Sequence, residues 1–362
     1  MTSRRSFMSG SAALAALPFI STRVTRALAA ASRRKLGFAL CGLGSLSTRQ
    51  IAPALQKTAN CRLAGIITGT PAKAARWKAQ YGIPDKNIYH YENMHRMADN
   101  PDIDAVYVVT PNAIHLDNAL AAAEAGKHVY CEKPMEISVA RCRQMIDAVK
   151  AAGRVLGVGY RLHFEPHNLE CVRIARSRDF GALKLIDAHF GFSIQPGVWR
   201  LNRALAGGGP LMDVGIYCVQ ATRYLTGEEP VSVSASLTRG DDNRFAEVEE
   251  SIMWQTKFPG GALAHCSSSY SAAPAGYFRA LAERGGFAMD PAFTYDGIRG
   301  TRSDGRPIDY PNIDQFAAEM DDFADCIANG MPTRVPGEEG LRDVQIMMAI
   351  YEAARSGKSV DL

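Results

Sequence analysis

At 362 residues the chain is long enough for about two domains. A composition of 47% hydrophobic and 22% charged residues excludes intrinsic disorder and fibrous or low-complexity architecture. The formal charge of +4 resides in Arg4, Arg5, Arg23 and Arg26, within the first 29 residues, which contain no acid; the remainder is formally neutral and gives no support to a nucleic-acid partner.

The first predicted element is an address. Arg4-Arg5, a mildly apolar run to Ile20 and the small-x-small triplet Ala27-Leu28-Ala29 read as a twin-arginine export signal over 1–29, with the periplasm as destination. The run is too short, and too broken by Ser, Gly and Pro18, to span a bilayer, and no later segment reaches 18 apolar residues. The mature chain is therefore expected to be soluble, with no membrane partner. Export of this kind carries folded proteins and hints at a cofactor loaded beforehand. The eight cysteines show no CxxC pair and no His at ligand spacing, so no metal is expected and most should be reduced packing residues.

From 35 to 158 short apolar runs (KLGFALC, CRLAGIIT, AVYVV, HVYC) alternate with helical stretches at 50–57, 71–81, 115–125 and 138–152. That alternation predicts an α/β dinucleotide-binding Rossmann domain on a parallel sheet. From 159 to 362 longer strand-like runs follow one another (ALKLIDAHFGFS, VSVSASLTR, VEESIMWQTKF, ALAHCSSSYS), and helices at 312–329 and 337–355 close the chain. This half reads as an α+β domain with a large, mostly antiparallel open sheet.

The first strand runs into Cys41-Gly42-Leu43-Gly44-Ser45-Leu46-Ser47, a G-x-G-x-x-S string at the strand-to-helix turn. Gly42 allows the turn, Gly44 lets a pyrophosphate approach the backbone, and the helix N-terminus supplies N–H donors. The string alone is weak, and a plain glycine turn stays open; its position on the first strand favours a dinucleotide. In NAD-binding versions the second strand ends in an acid. Here it ends Ile67-Thr68-Gly69-Thr70, no Asp or Glu occurs between Lys35 and Pro84, and Lys73 follows. The site therefore favours NADP, with Thr68, Gly69 and Lys73 at the 2'-phosphate, unless Lys73 is simply a solvated helix residue.

Further on stand Thr110-Pro111-Asn112, His115 and Cys131-Glu132-Lys133-Pro134, and then Gly207-Gly208-Gly209-Pro210-Leu211-Met212-Asp213-Val214-Gly215-Ile216-Tyr217. These strings resemble the E-K-P and G-G-G-x-x-x-D-x-G-x-Y/H motifs of the glucose-fructose oxidoreductase/inositol dehydrogenase family. AGKHVYCEKP, VGYRLHFEPHN, WRLNRALAGGG, GEEPV and PGEEG look most like its exported glucose-fructose oxidoreductase branch and the related aldose-aldose oxidoreductases. The likeness spans essentially the whole chain. It implies a cofactor site lined by Gly42 to Leu46, Thr68, Gly69, Lys73, Tyr91, Thr110, Pro111, Asn112, His115, Glu132, Lys133, Arg161, Trp199, Arg200 and Tyr295, with His163 facing substrate or capping a strand. It also implies a cis peptide before Pro134.

Removing hydride from a sugar C1 needs a base for the adjacent hydroxyl proton and a field that tolerates the forming charge. Lys133, at a strand's carboxyl end, can hold the reacting oxygen. Tyr217 is then the acid/base, and Asp213, four residues earlier and on the same face if the segment is helical, orients sugar or lysine. Unaided, Tyr217 reads equally as a core tyrosine. The resemblance implies an enzyme acting on aldoses: bound NADP takes hydride from one, giving lactone, and a second sugar becomes an alditol. The alternatives are an aldose 1-dehydrogenase with dissociable NADP, a nicotinamide-dependent glycosidase, and a sugar sensor that keeps the cofactor as structure. The proline-rich arm of glucose-fructose oxidoreductase has no room here, since few residues separate Ala29 from the first strand; a homodimer through the open sheet face is expected.

Overall fold

The structure, a computed structural model, describes residues 34–362; the expected export signal lies outside them. The first sheet is wholly parallel, built from β1 (Leu36–Cys41), β2 (Cys61–Ile67), β3 (Ile88–Tyr89), β4 (Ala105–Val108), β5 (His128–Glu132) and β6 (Leu156–Gly159). Its order is β3-β2-β1-β4-β5-β6, with β1 between β2 and β4. That is the doubly wound order whose crevice opens at the carboxyl ends of the strands, where β1 and β4 lead to opposite sides. The strands are covered on both faces, so they read as continuous apolar runs; β1 is buried from Gly37 to Cys41.

The helices between strands obey local rules. Pro71 opens the helix Pro71–Tyr81 and Gly82, in the left-handed region, closes it; the Ser138 side chain caps the helix Val139–Ala151 by accepting from the Arg141 amide. Two expected helices differ from expectation. The stretch after the glycine turn is π-wound over Ser47–Ile51 before a short α-helix, Ala52–Leu55. The helix expected from 312 begins at Gln315, because the Asp314 carboxylate accepts from the Ala317 amide and fixes the first turn there.

The second sheet contains β7 (Leu183–Gly191), β8 (Ser232–Thr238), β9 (Ser251–Lys257), β10 (Leu263–Ser269), β11 (Ala275–Ala282), β12 (Gly285–Met289), β13 (Gly300–Arg302) and β14 (Val360–Asp361). In the order β13-β12-β11-β7-β10-β9-β8-β14, only β7 and β10 pair in parallel. One face packs under the helices Pro166–Arg176, Ile216–Thr226 and Gly337–Ser356, while Leu185, Met253, Leu263 and Leu281 on the other are exposed.

Contacts join the two halves on either side of 158/159. The helix Gln315–Asn329 returns to the first sheet: Asp321 accepts from the Ala59 and Asn60 amides, and Phe323 packs against Phe38 and Tyr130. Val158 also donates to the Val335 carbonyl. Phe38 to Ala353 thus form one buried apolar cluster spanning both sheets. All eight cysteines are buried in it or at its edge, with free thiols.

Candidate active site

The carboxyl ends of β1, β4 and β5 supply one wall of the cleft. Gly42 has φ +95°, and a Cβ there would lie 2.8 Å from the Val109 carbonyl oxygen, so only glycine fits the turn. Gly44 and Ser45 are exposed, and a Cβ on Gly44 would meet nothing within 4 Å. That open cradle at a helix N-terminus fits a pyrophosphate. Ser47, standing where a third glycine is usual, is buried and its hydroxyl donates to the Gly42 carbonyl at 2.5 Å, locking the turn from behind. Leu43 is buried beneath it and Leu46 half-buried.

Beyond β2, the Thr68 hydroxyl accepts from the Thr70 amide, Gly69 lies open, and Lys73 stands half-buried in the first turn of the next helix. Tyr91 lies beside them: a Cβ on Gly69 would touch its ring at 3.4 Å and reach His90 Nε2 at 3.7 Å. His90, exposed and paired with Glu92 just past β3, has no signal in the sequence, because β3 is a two-residue strand.

Several expected contacts stand behind the cleft. His115 is fully buried, with Nε2 2.8 Å from the Thr110 carbonyl and Nδ1 3.1 Å from that of Pro134. It joins two loops and presents no atom to a ligand, correcting the expectation that it lines the cofactor. Glu132 likewise turns inward, to the Tyr107 hydroxyl at 2.8 Å. Thr110 is buried and accepts from Asn118, Pro111 is half-buried, and Asn112 donates to the Ala206 carbonyl, tying this wall to the opposite one. The Lys133–Pro134 peptide is cis.

The second wall is made of side chains. Glu249, buried, accepts from the Gly209 and Leu211 amides and from the Tyr351 hydroxyl, and so fixes the π-wound turn Leu211–Gly215 that carries Asp213; the helix Ile216–Thr226 follows and carries Tyr217. Lys133 Nζ crosses from the first wall to donate to the Asp213 carbonyl at 2.7 Å, lies 3.8 Å from its carboxylate, and sits 4.7 Å from the centre of the Tyr217 ring. The amine thus meets the face of the phenol. Arg200 Nε lies 3.1 Å from Asp213 Oδ2, and the Tyr270 hydroxyl donates to the same oxygen at 2.9 Å. Burial alone would push the Asp213 carboxyl up; Arg200, Lys133 and Tyr270 outweigh it and hold it below the ordinary range. Tyr270 carries no motif, and only the sheet, which brings β10's end under the π-turn, reveals it.

Arg161 completes the floor. It is buried, donates to the Phe293 and Thr294 carbonyls and the Gln315 side chain, and places its guanidinium 5.1 Å from the Tyr217 ring and 4.6 Å from that of Tyr295. Arg200 stacks on Trp199 at 4.8 Å. His163, in the turn just past β6, stacks on Tyr160, meets Tyr224 edge-on and lines a cavity with Tyr217, Gln220 and Phe293.

A phosphate cradle on a doubly wound sheet, facing a lysine, a phenol and a paired carboxylate, defines an oxidoreductase that works on a bound nicotinamide dinucleotide. Residues 36–160 match the oxidoreductase family with an NAD-binding Rossmann fold, and residues 169–288 match the GFO/IDH/MocA C-terminal domain. The chain belongs to this GFO/IDH/MocA family. It is 31% identical over 338 residues to a D-xylose 1-dehydrogenase [NADP(+)] of Haloarcula marismortui, covering 90% of this chain and 92% of the relative. It is 29% identical over 333 residues to D-xylose 1-dehydrogenase (NADP(+)) 2 of Haloferax volcanii, covering 90% and 99%. Among solved structures, aldose-aldose oxidoreductase from Caulobacter crescentus, complexed with glycerol, superposes with a TM-score of 0.87 at 45% identity, covering 91% of this chain and all of that one.

Proposed function

We propose that the protein is an exported aldose oxidoreductase that retains NADP and alternates two sugars in one cleft. The observation that carries this reading is the placement of the Lys133 amine against both Asp213 and the Tyr217 ring, at the strand end beside the open Gly44 cradle. The similarity to an aldose-aldose oxidoreductase and to two NADP-linked xylose dehydrogenases supports aldoses as substrates. The acid-free end of β2 with Thr68 and Lys73 supports NADP over NAD.

Gly42 to Leu46 would hold the dinucleotide, which would supply the hydride acceptor and donor there. The chain's own groups manage everything else. Lys133 holds the reacting sugar oxygen by its N–H donors and offsets negative charge there. With its oxygen deprotonated, Tyr217 takes the O1 proton as the first aldose loses hydride from C1 and becomes the lactone, which leaves Tyr217 as the phenol. When a second sugar presents its carbonyl, the same hydroxyl returns a proton to oxygen as carbon gains hydride, giving the alditol. Asp213, clamped by Arg200 and Tyr270, orients sugar hydroxyls and keeps Lys133 in place. Trp199 and Arg200, stacked on each other, would line the nicotinamide side of the cleft.

The N-terminal segment supports periplasmic delivery, where free NADP is scarce and retention matters. The exposed Leu185, Met253, Leu263 and Leu281 on the open sheet face support a homodimer.

Incubation of the purified protein with one aldose and no added nucleotide tests the alternation. Lactone (or aldonic acid) and alditol are expected in equal amounts, with ping-pong kinetics. Dependence on added NADP, with reduced nucleotide released to solution, would leave an aldose 1-dehydrogenase instead.

A further inference from the structure

Behind the cleft, the first sheet buries two carboxyl groups whose pairing the chemistry above does not use. Glu132 precedes Lys133 at the end of β5, and Glu319 stands on the returning helix Gln315–Asn329; they are 6% and 0% exposed. Both converge on one phenol. The Tyr107 hydroxyl oxygen lies 2.8 Å from Glu132 Oε1 and 2.9 Å from Glu319 Oε1.

A hydroxyl carries one proton and donates to one acceptor. Two anions at these distances would therefore leave one carboxylate facing a bare oxygen lone pair in a dry core, in addition to repelling each other. The second contact is made good when one carboxyl keeps its own proton and donates it to Tyr107.

The surroundings assign that proton. Burial raises the Glu132 carboxyl as well, but Glu132 lies in the fields of Lys133 and Arg161 and accepts the Lys133 backbone N–H at 3.2 Å, all of which favour its anion, and no like charge is among the causes that raise it. Arg161 and the nearby Tyr107 and Tyr130 phenols ease the Glu319 anion, but Glu319 is wholly buried and faces the Glu132 charge. Its Oε2 has no hydrogen-bond partner among the described residues. Burial, then the Glu132 charge, push the Glu319 carboxyl well above the carboxylate range.

We propose that Glu319 is a positioning residue that stays protonated at neutral pH, donates to Tyr107, and so commits the Tyr107 hydroxyl to Glu132, holding a single negative charge one residue from Lys133. The relay Glu319–Tyr107–Glu132 braces the segment carrying the lysine from behind. It also supplies one anion against the two cations, Lys133 and Arg161, that flank Tyr217. The kinetic part of the inference rests on Lys133 acting in catalysis; the placement of the proton does not.

Infrared spectroscopy of the purified protein at neutral pH, in H2O and D2O, reads the proton directly. A protonated-carboxyl carbonyl band, shifted in D2O, is expected in the native protein and is lost in Glu319→Gln. In steady-state kinetics, Glu319→Leu removes the donor and is expected to lower kcat about tenfold with little change in aldose KM, and to displace the acidic limb of the pH profile. Glu319→Gln, which offers an uncharged N–H donor of the same shape, is expected to recover most of the loss and the native limb. No such band at neutral pH, a band that persists in Glu319→Gln, or a Gln variant no better than Leu overturns the proposal. A native protein that turns over no aldose would defeat the sugar reading, while the infrared result would still locate the proton.

Discussion

On the wall formed by the first sheet, a ligand meets mostly backbone: the Gly42 turn, the open Gly44, and strand ends whose side chains, Thr110, Asn112, His115 and Glu132, point away into packing. On the facing wall it meets side chains from well-separated stretches: Arg161, Arg200, Asp213, Tyr217, Tyr270 and Tyr295, held by one another. The first wall suits a ligand common to many enzymes, since main-chain donors and a helix dipole recognise phosphate whatever is attached. The second can be re-specified one residue at a time without disturbing the sheet. Lys133 is the exception that joins them, rising from the first wall to ligate the second.

Removing the join should have the largest effect. Lys133→Ala and Tyr217→Phe are expected to lower turnover by about 100- to 10,000-fold, the range for acid/base groups, while leaving nucleotide binding near native. Stopped-flow single turnovers alongside nucleotide titration check this. A Phe variant with near-native turnover would demote Tyr217 to a packing residue and leave the second wall without its proton carrier.

A change confined to the first wall should act on nucleotide alone. Thr68→Asp places a carboxylate where the 2'-phosphate is proposed to lie and is expected to weaken NADP binding by about 1 to 3 kcal/mol, with NAD much less affected. Titration calorimetry with both nucleotides decides it, and equal binding of the two by the native protein would end the NADP assignment.

A smaller effect is expected within the second wall. Tyr270→Phe removes one donor from the Asp213 carboxylate and leaves Arg200 and Lys133 in place, so kcat/KM for the aldose should fall about tenfold with nucleotide affinity unchanged. Loss of nucleotide binding in this variant would mean that the walls are less separable than their construction implies.

The smallest effect concerns the frame. The Val155 amide donates to His128 Nδ1 at 3.0 Å, and burial followed by Arg154 lowers His128 to about 4; burial followed by Arg223 and Arg334 lowers His163 to about 3. Both rings are neutral in the fold but take up a proton below about 6.5 when unfolded, so the unfolded chain binds more protons and stability falls as pH drops from there toward 4. Melting temperature should decline over that window, and His128→Gln, which keeps an acceptor but does not titrate, should flatten the decline.

The difference between the walls also decides what could be read from sequence. A backbone site is written locally: the glycine turn, the strand before it and the acid-free end of β2 are contiguous, so the fold class and the phosphate cradle were legible. Lys133, Asp213 and Tyr217 were reached through motifs, yet the meeting of amine and phenol face, and the π-winding that places Asp213, depend on Glu249 forty residues later. Tyr270 and Glu319 have no local signature; their roles exist only after β10 and the helix Gln315–Asn329 reach their neighbours. The short strands β3 and β13 escaped for the same reason, being defined by partners and too brief for a pattern.

The return of Gln315–Asn329 to the first sheet has a consequence for how the molecule is made. The surface around Phe38 and Tyr130 that Phe323 covers, and the Ala59 and Asn60 amides that Asp321 satisfies, stay bare until the last fifth of the chain emerges from the ribosome. Gln315, which grips Arg161 on the cleft floor, arrives at the same moment. The dinucleotide domain is therefore completed only when residues 315–329 are made, and that segment, rather than the glycine turn, sets the time at which its cleft floor is able to close.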